Sequence, residues 1–74
     1  MKDAIRNLVV RELNNNEVVT LHSLYRLVAV EIEDESKTQT QQRHRVRSIL
    51  DGYRRGGKLS RIASQTYSKT IPTI

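Results

Sequence analysis

Amide, hydroxyl, imidazole and guanidinium side chains recur at helical spacing between residues 40 and 55. At about 100° per residue, one face of such a helix carries Thr40, Gln41, His44, Ser48 and Arg55, with Arg45 and Arg47 on its two flanks. This face contains no apolar residue. Amide and guanidinium groups form paired hydrogen bonds with the edges of adenine and guanine, and an α-helix fits the major groove of DNA. The side chains therefore indicate a helix that reads nucleic-acid bases.

A polar helix face can instead be a solvated face without a binding role, but such faces usually mix both signs of charge. From Ser36 to the end of the chain, the only acidic residue is Asp51. Beyond the helix, the same positive charge continues at Lys58, Arg61 and Lys69. This concentration of one sign of charge favours the binding of a polyanion over simple solvation.

Charge is divided unequally between the two halves of the chain. Residues 1–35 carry four basic and seven acidic side chains, a net of −3, whereas residues 36–74 carry nine basic and one acidic, a net of +8. The formal net charge of the 74 residues is +5. A positive excess confined to one half concentrates positive potential on the surface that this half forms, which is typical of nucleic-acid binding.

Length and composition exclude several functional classes. A chain of 74 residues forms one small domain, and its lack of cysteine excludes disulfides and thiolate metal sites. The basic half has neither paired carboxylates nor a phosphate-cradling glycine loop, so we expect no enzymatic activity, no cofactor and no metal. The longest apolar run, Leu27–Val30, is far shorter than the roughly 20 residues of a membrane span. Because no signal peptide is visible, we expect a cytoplasmic protein, or a nuclear one in a eukaryote.

The apolar spacing of the first half predicts two helices. One stripe predicts a helix from about Lys2 to Leu13, which ends at three asparagines. Its members are Ile5, Leu8, Val9 and Leu13. Glu17–Val19 is predicted to be extended, and Thr20 to be the N-cap of the next helix. The stripe of this second helix consists of Leu21, Leu24, Tyr25, Val28 and Ile32.

An acidic cluster follows the second helix, and its members are Glu31, Glu33, Asp34 and Glu35. It should end that helix, because negative charge at a helix C-terminus opposes the dipole. A third helix is predicted from about Thr38 to Arg55, with Ser36, Thr38 and Thr40 as candidate N-caps. Its core stripe consists of Val46, Ile49, Leu50 and Tyr53.

Two glycines, Gly56 and Gly57, provide the stop signal for the third helix. Beyond them, Lys58–Ala63 and Thr66–Ile71 are rich in β-branched residues and tyrosine, which predicts a hairpin with Ser64 and Gln65 at its tip. Pro72 prevents the second strand from continuing as a paired ladder. The expected fold is thus α+β, with three helices and a C-terminal two-stranded hairpin.

The order of these elements resembles the winged helix superfamily of helix-turn-helix DNA-binding domains. The segment that resembles it most, residues 45–62, looks like the end of a recognition helix that runs into the first strand of a wing, and residues 66–70 resemble the returning strand. The resemblance implies a single domain over residues 1–74 that places its third helix in the major groove and its hairpin on the backbone. It implies a small transcriptional regulator, such as a repressor.

The same resemblance assigns two kinds of DNA contact. The residues expected to read bases are Gln41, Gln42, His44, Arg45 and Ser48, with Thr40 on the same helix face. The residues expected to bind phosphate are Arg43, Arg47, Lys58, Arg61 and Lys69. The tip carries no basic residue, so the strands rather than the tip are expected to touch DNA.

Three apolar residues, Val10, Leu27 and Val30, lie off the core stripes of the first two helices. If they cluster on the surface, they would form a self-complementary patch for a homodimer that places two recognition helices on a repeated site. Two other functions are also compatible with the sequence. One is a protein-interaction module that uses its acidic and basic faces, and the other is a structured-RNA binder.

Overall fold

The structure is a computed structural model that describes residues 3–32 and 38–74. The helices are α1 (Ala4–Asn15), α2 (Leu21–Glu31) and α3 (Gln39–Arg55), and the strands are β1 (Val19–Thr20), β2 (Leu59–Ala63) and β3 (Thr66–Lys69). The expected α+β class with three helices is confirmed. Predictions were also attached to residues that lie outside the described ranges, namely Lys2, the acidic residues Glu33, Asp34 and Glu35, and the candidate N-cap Ser36.

Each helix begins at a side chain that accepts a hydrogen bond from the backbone N–H three residues later. Asp3 caps α1 through the N–H of Arg6 at 3.1 Å, and Thr20 caps α2 as predicted. Thr38 caps α3 and forms a capping box, because Gln41 Oε1 in turn accepts from the Thr38 N–H at 2.9 Å. These caps satisfy backbone donors that have no partner inside the helix, and so they fix where each helix starts.

The core is formed by one side of each helix. All four predicted stripe residues of α1 are buried, and the stripes of α2 and α3 follow the prediction with Tyr25, Ile32 and Tyr53 half-buried. Val19 and Leu59 join this core from the strands. The apolar side of α3 is thereby fixed against α1 and α2, so its opposite side faces outward.

The three strands form one antiparallel sheet in the order β1–β3–β2. Val19 of β1 pairs with Tyr67 of β3, and the Leu21 N–H at the start of α2 donates to the Gln65 carbonyl oxygen at 2.8 Å. Gln65 has a φ of 57°, in the left-handed region that a two-residue hairpin tip requires. The sequence predicted the extended segment before α2 but not its pairing with the hairpin. The hairpin is therefore bound to α2 at its tip.

The acidic half is held together by an ion pair between helices. Arg11 of α1 donates two hydrogen bonds to the carboxylate of Glu31 at the end of α2, with N···O distances of 3.0 and 2.7 Å. This guanidinium lowers the pKa of Glu31. None of the helices in the two described ranges is long and apolar enough to cross a membrane.

Candidate nucleic-acid interface

A concave surface lies between α2, α3 and the β2–β3 hairpin, and we refer to it as the hairpin groove. Its lining residues are Leu21, Tyr25, Thr40, Arg43, His44, Arg47, Arg61, Ser64, Gln65 and Tyr67. Within the described parts of the chain, no carboxylate lines this groove. The bond between Gln65 and Leu21 closes one end, so helix and hairpin are held at a fixed separation.

Arginine and tyrosine side chains are packed together in the hairpin groove. The guanidinium carbon of Arg43 lies 5.1 Å from the ring centroid of Tyr25, within the range of a cation–π contact. Burial raises the pKa of the Tyr25 hydroxyl, while the charges of Arg47 and Arg43 act in the opposite direction. The phenol is therefore neutral near pH 7 and remains able to donate a hydrogen bond to an anion.

Several basic side chains in and beside this groove have no acidic partner among the residues that the structure describes. Arg47, Arg54 and Arg61 form no salt bridge with any residue between 3 and 32 or between 38 and 74. Arg61 lies opposite Tyr67 in the β2–β3 register, and both line a neighbouring concavity with Arg47 and Arg54. Asp51 also lines this concavity, and its carboxylate is paired with Arg55 at 3.0 Å. Like charges held near one another repel, so such an arrangement suits the binding of an external anion.

A second basic concavity lies on the opposite side of α3, and we call it the α1-side surface. Its lining residues are Arg6, Arg45, Ser48, Ile49, Gly52, Tyr53, Gly56 and Lys58. Counted at about 100° per residue from Val46, Arg43 and Arg47 lie on one side of the core stripe, whereas Arg45 and Gly52 lie on the other. Between the two sides runs the exposed face of α3 that carries Thr40, His44 and Ser48, which we call the ridge. The ridge is thus flanked by basic residues on both sides.

The predicted base readers do not share one environment. Thr40, His44 and Ser48 are exposed on the outward side of α3, as expected. Gln41 is also exposed, but its side-chain oxygen is used in the capping box with Thr38. Gln42 is only 8% exposed, which corrects the expectation that it reads a base. Because it precedes Val46 by four residues, helical spacing itself places it beside the core stripe.

Arg45 is held against α1 and not on the ridge. Its guanidinium forms an ion pair with the carboxylate of Asp3, the N-cap of α1. The hydrogen bond from Arg45 lowers the pKa of Asp3, and the backbone N–H of Arg6 adds to this effect. A base contact by Arg45 would require this pair to separate, so the free protein presents Arg45 as part of the α1-side surface.

The predicted phosphate contacts are also divided. Arg43, Arg47 and Arg61 lie together in the hairpin groove, and Lys58 lies on the α1-side surface. Lys69 is not brought together with either group, because its ammonium donates to the backbone carbonyl of Asn14 at 3.1 Å. This contact links β3 to the end of α1 and gives Lys69 a structural role.

Sequence reasoning missed Arg6 and the hairpin-tip residue Gln65 as parts of the two surfaces, and Arg54 in the concavity beside the groove. It placed Tyr25 in the core. Tyr25 is half-buried, so it packs against the core and also lines the groove. No local signal identifies Arg6, because its position beside α3 depends on how α1 packs.

The three residues of the predicted dimer patch differ in exposure. Val10 is half-buried, and Leu27 is partly buried against the core. Val30 is 75% exposed. Most of the apolar area available for a partner at this site therefore belongs to Val30.

Comparison with known proteins adds no relative to this description. No protein-family model, curated protein or solved structure matches the chain. The interpretation of the two basic surfaces therefore rests on their own side chains and geometry.

Proposed function

We propose that this protein is a sequence-specific double-stranded DNA-binding protein of winged helix type and acts as a small transcriptional regulator. In this proposal α3 enters the major groove and the β2–β3 hairpin lies on the DNA backbone. The observation that carries it is the hairpin groove, where Arg43, Arg47 and Arg61 line a concave surface beside the exposed polar ridge of α3. The element order and the β1–β3–β2 sheet are compatible with a small helix-turn-helix domain.

The roles of the residues follow from their environments. Thr40, His44 and Ser48 are exposed on the ridge, and in this proposal they reach the base edges. Arg47 and Arg61 lie to the side of the ridge, and in this proposal each binds phosphate, since a guanidinium can use two donors on one phosphate. Phosphate contacts fix the register of a protein on a duplex, and base contacts select the sequence.

The experiment is a binding titration with fluorescently labelled random duplex DNA, with single-stranded DNA and structured RNA as competitors. About 4–6 neutralised phosphates per subunit predict that log K falls with log salt at a slope near −4 to −5. Selection from a duplex library would then yield a preferred sequence. Affinity that is independent of salt would favour a protein partner, and stronger competition by folded RNA would favour the RNA-binding function.

A further inference from the structure

Gly52 occupies a position where no contact with the residues in the two described ranges requires glycine. It lies exposed within α3, and a Cβ added there would meet nothing within 4 Å among the described atoms. Its backbone does not adopt a left-handed conformation. Glycine destabilises a helix relative to alanine, and it is useful where another backbone approaches closely. The bare helix surface at Gly52 therefore points to close approach of a molecule from outside.

The side chains around this bare surface define the kind of molecule. Arg6 from α1, Arg45 from α3 and Lys58 before β2 line the same concavity as Gly52. Guanidinium and ammonium groups around an open patch suit phosphate groups linked along a chain. Asp3 lies at this surface through its ion pair with Arg45, so one of the three cations is neutralised in the free protein.

The dimensions of DNA relate this surface to the hairpin groove. An α-helix with its side chains is about 10–12 Å across, and the major groove is about 12 Å wide, so the inserted helix lies close to both phosphate backbones. The hairpin groove is on one side of α3 and the α1-side surface is on the other. Each of these two sides of α3 would thus face a different strand of the DNA duplex.

From these observations we infer that the α1-side surface is a second phosphate-binding site. It binds one DNA strand of the duplex, and the hairpin groove binds the other. The inference rests on the proposed function. Here a sugar–phosphate backbone packs over Gly52 between Arg6 and Lys58. The phosphate also competes with the carboxylate of Asp3 for Arg45. Asp3 therefore weakens binding to every duplex alike, and recognition depends more strongly on the contacts of the ridge.

The first test is Gly52→Ala, a single added methyl group. Alanine should raise the thermal midpoint by about 4–8 °C, because helix propensity improves. Duplex affinity should nevertheless fall by roughly tenfold for all sequences, because the methyl group keeps the backbone away. The matched control is Asn7→Ala on the exposed side of α1, which improves helix propensity outside this surface and should leave affinity unchanged.

The second test is Asp3→Asn, which keeps an N-cap acceptor and removes the charge. Because it frees Arg45, affinity for all duplexes should rise by roughly fivefold and the salt slope should steepen by about one. Glu17→Gln is the control, since it makes the same change in net charge at an exposed residue outside both surfaces.

The outcomes separate this inference from the proposed function. Absence of salt-dependent duplex binding by the wild-type protein would overturn the proposed function, and the inference with it. Wild-type binding with unchanged affinity in Gly52→Ala would refute the second site alone. So would an Asp3→Asn variant that behaves like Glu17→Gln.

Discussion

Arg61 and Lys69 provide a direct test of which basic residues face DNA. Both lie on the hairpin and both were predicted from sequence to bind phosphate. The structure separates them, because Arg61 is exposed in the hairpin groove whereas the Lys69 ammonium donates to the Asn14 carbonyl oxygen at 3.1 Å. Replacing each by alanine removes one positive charge from the same hairpin. The two variants should nevertheless lose different properties.

The expected magnitudes follow from these environments. A charge-assisted hydrogen bond contributes about 1.5–3 kcal/mol, and the exposure of Arg61 favours the lower end. Arg61→Ala should therefore bind all duplexes about tenfold more weakly, with a salt slope shallower by about one, and with stability within about 0.5 kcal/mol of wild type. Lys69→Ala should retain affinity but lose about 1 kcal/mol of stability, a drop of about 4–8 °C in the thermal midpoint.

The assay is fluorescence anisotropy on one labelled duplex at four or five salt concentrations, with thermal unfolding followed by circular dichroism on the same samples. Both variants must be measured at salt concentrations high enough for binding to be incomplete, because only then can the dissociation constants and their slopes against salt be compared. Equal losses of affinity and equal changes in slope for the two variants would refute the assignment of the hairpin groove as the DNA-facing side.

Three further predictions concern stability and assembly. Thr38→Ala should destabilise the protein by about 1 kcal/mol in urea unfolding, because α3 loses its capping box; an unchanged midpoint would contradict this. The pKa of Asp3 is lowered by Arg45, so the stability from this pair should be fully present above about pH 4 and lost as pH falls further. The stability difference between wild type and Asp3→Asn should therefore shrink in acid, and a constant difference would exclude the pair as its source. Val30→Glu should convert the predicted homodimer to folded monomers in sedimentation, whereas a monomeric wild type at high concentration would exclude the dimer.

Local sequence patterns predicted the helices and most of the core because helical spacing depends on neighbours in the chain. The stripe of α1, the Thr20 cap and the end of α3 at Gly56 all depend on such spacing. The same spacing would have identified Gln42 as a core-side residue, since it lies four positions before Val46. Its expected role as a base reader came from the family resemblance and not from its position on the helix.

Other parts of the candidate site depend on contacts between residues far apart in the chain. The pairing of β1 with β3, the ion pair of Arg45 with Asp3 and the bond from Lys69 to Asn14 join segments separated by 42 or more positions. No periodicity in the sequence records such contacts, because they arise only when helices and strands pack. The sequence therefore predicted one basic surface. The structure shows two, the hairpin groove and the α1-side surface, which lie on opposite sides of α3.

Under the proposed function, the hydrogen bond between the Gln65 carbonyl and the Leu21 N–H would affect how the protein fits a duplex. A free hairpin tip would lose conformational entropy when it settled on DNA, but this tip is already ordered. An outward movement of the hairpin would have to break this bond and the pairing of β1 with β3. The DNA would then have to deform to fit the protein. Sites whose base steps bend or twist easily should therefore be preferred, even where no side chain touches a base.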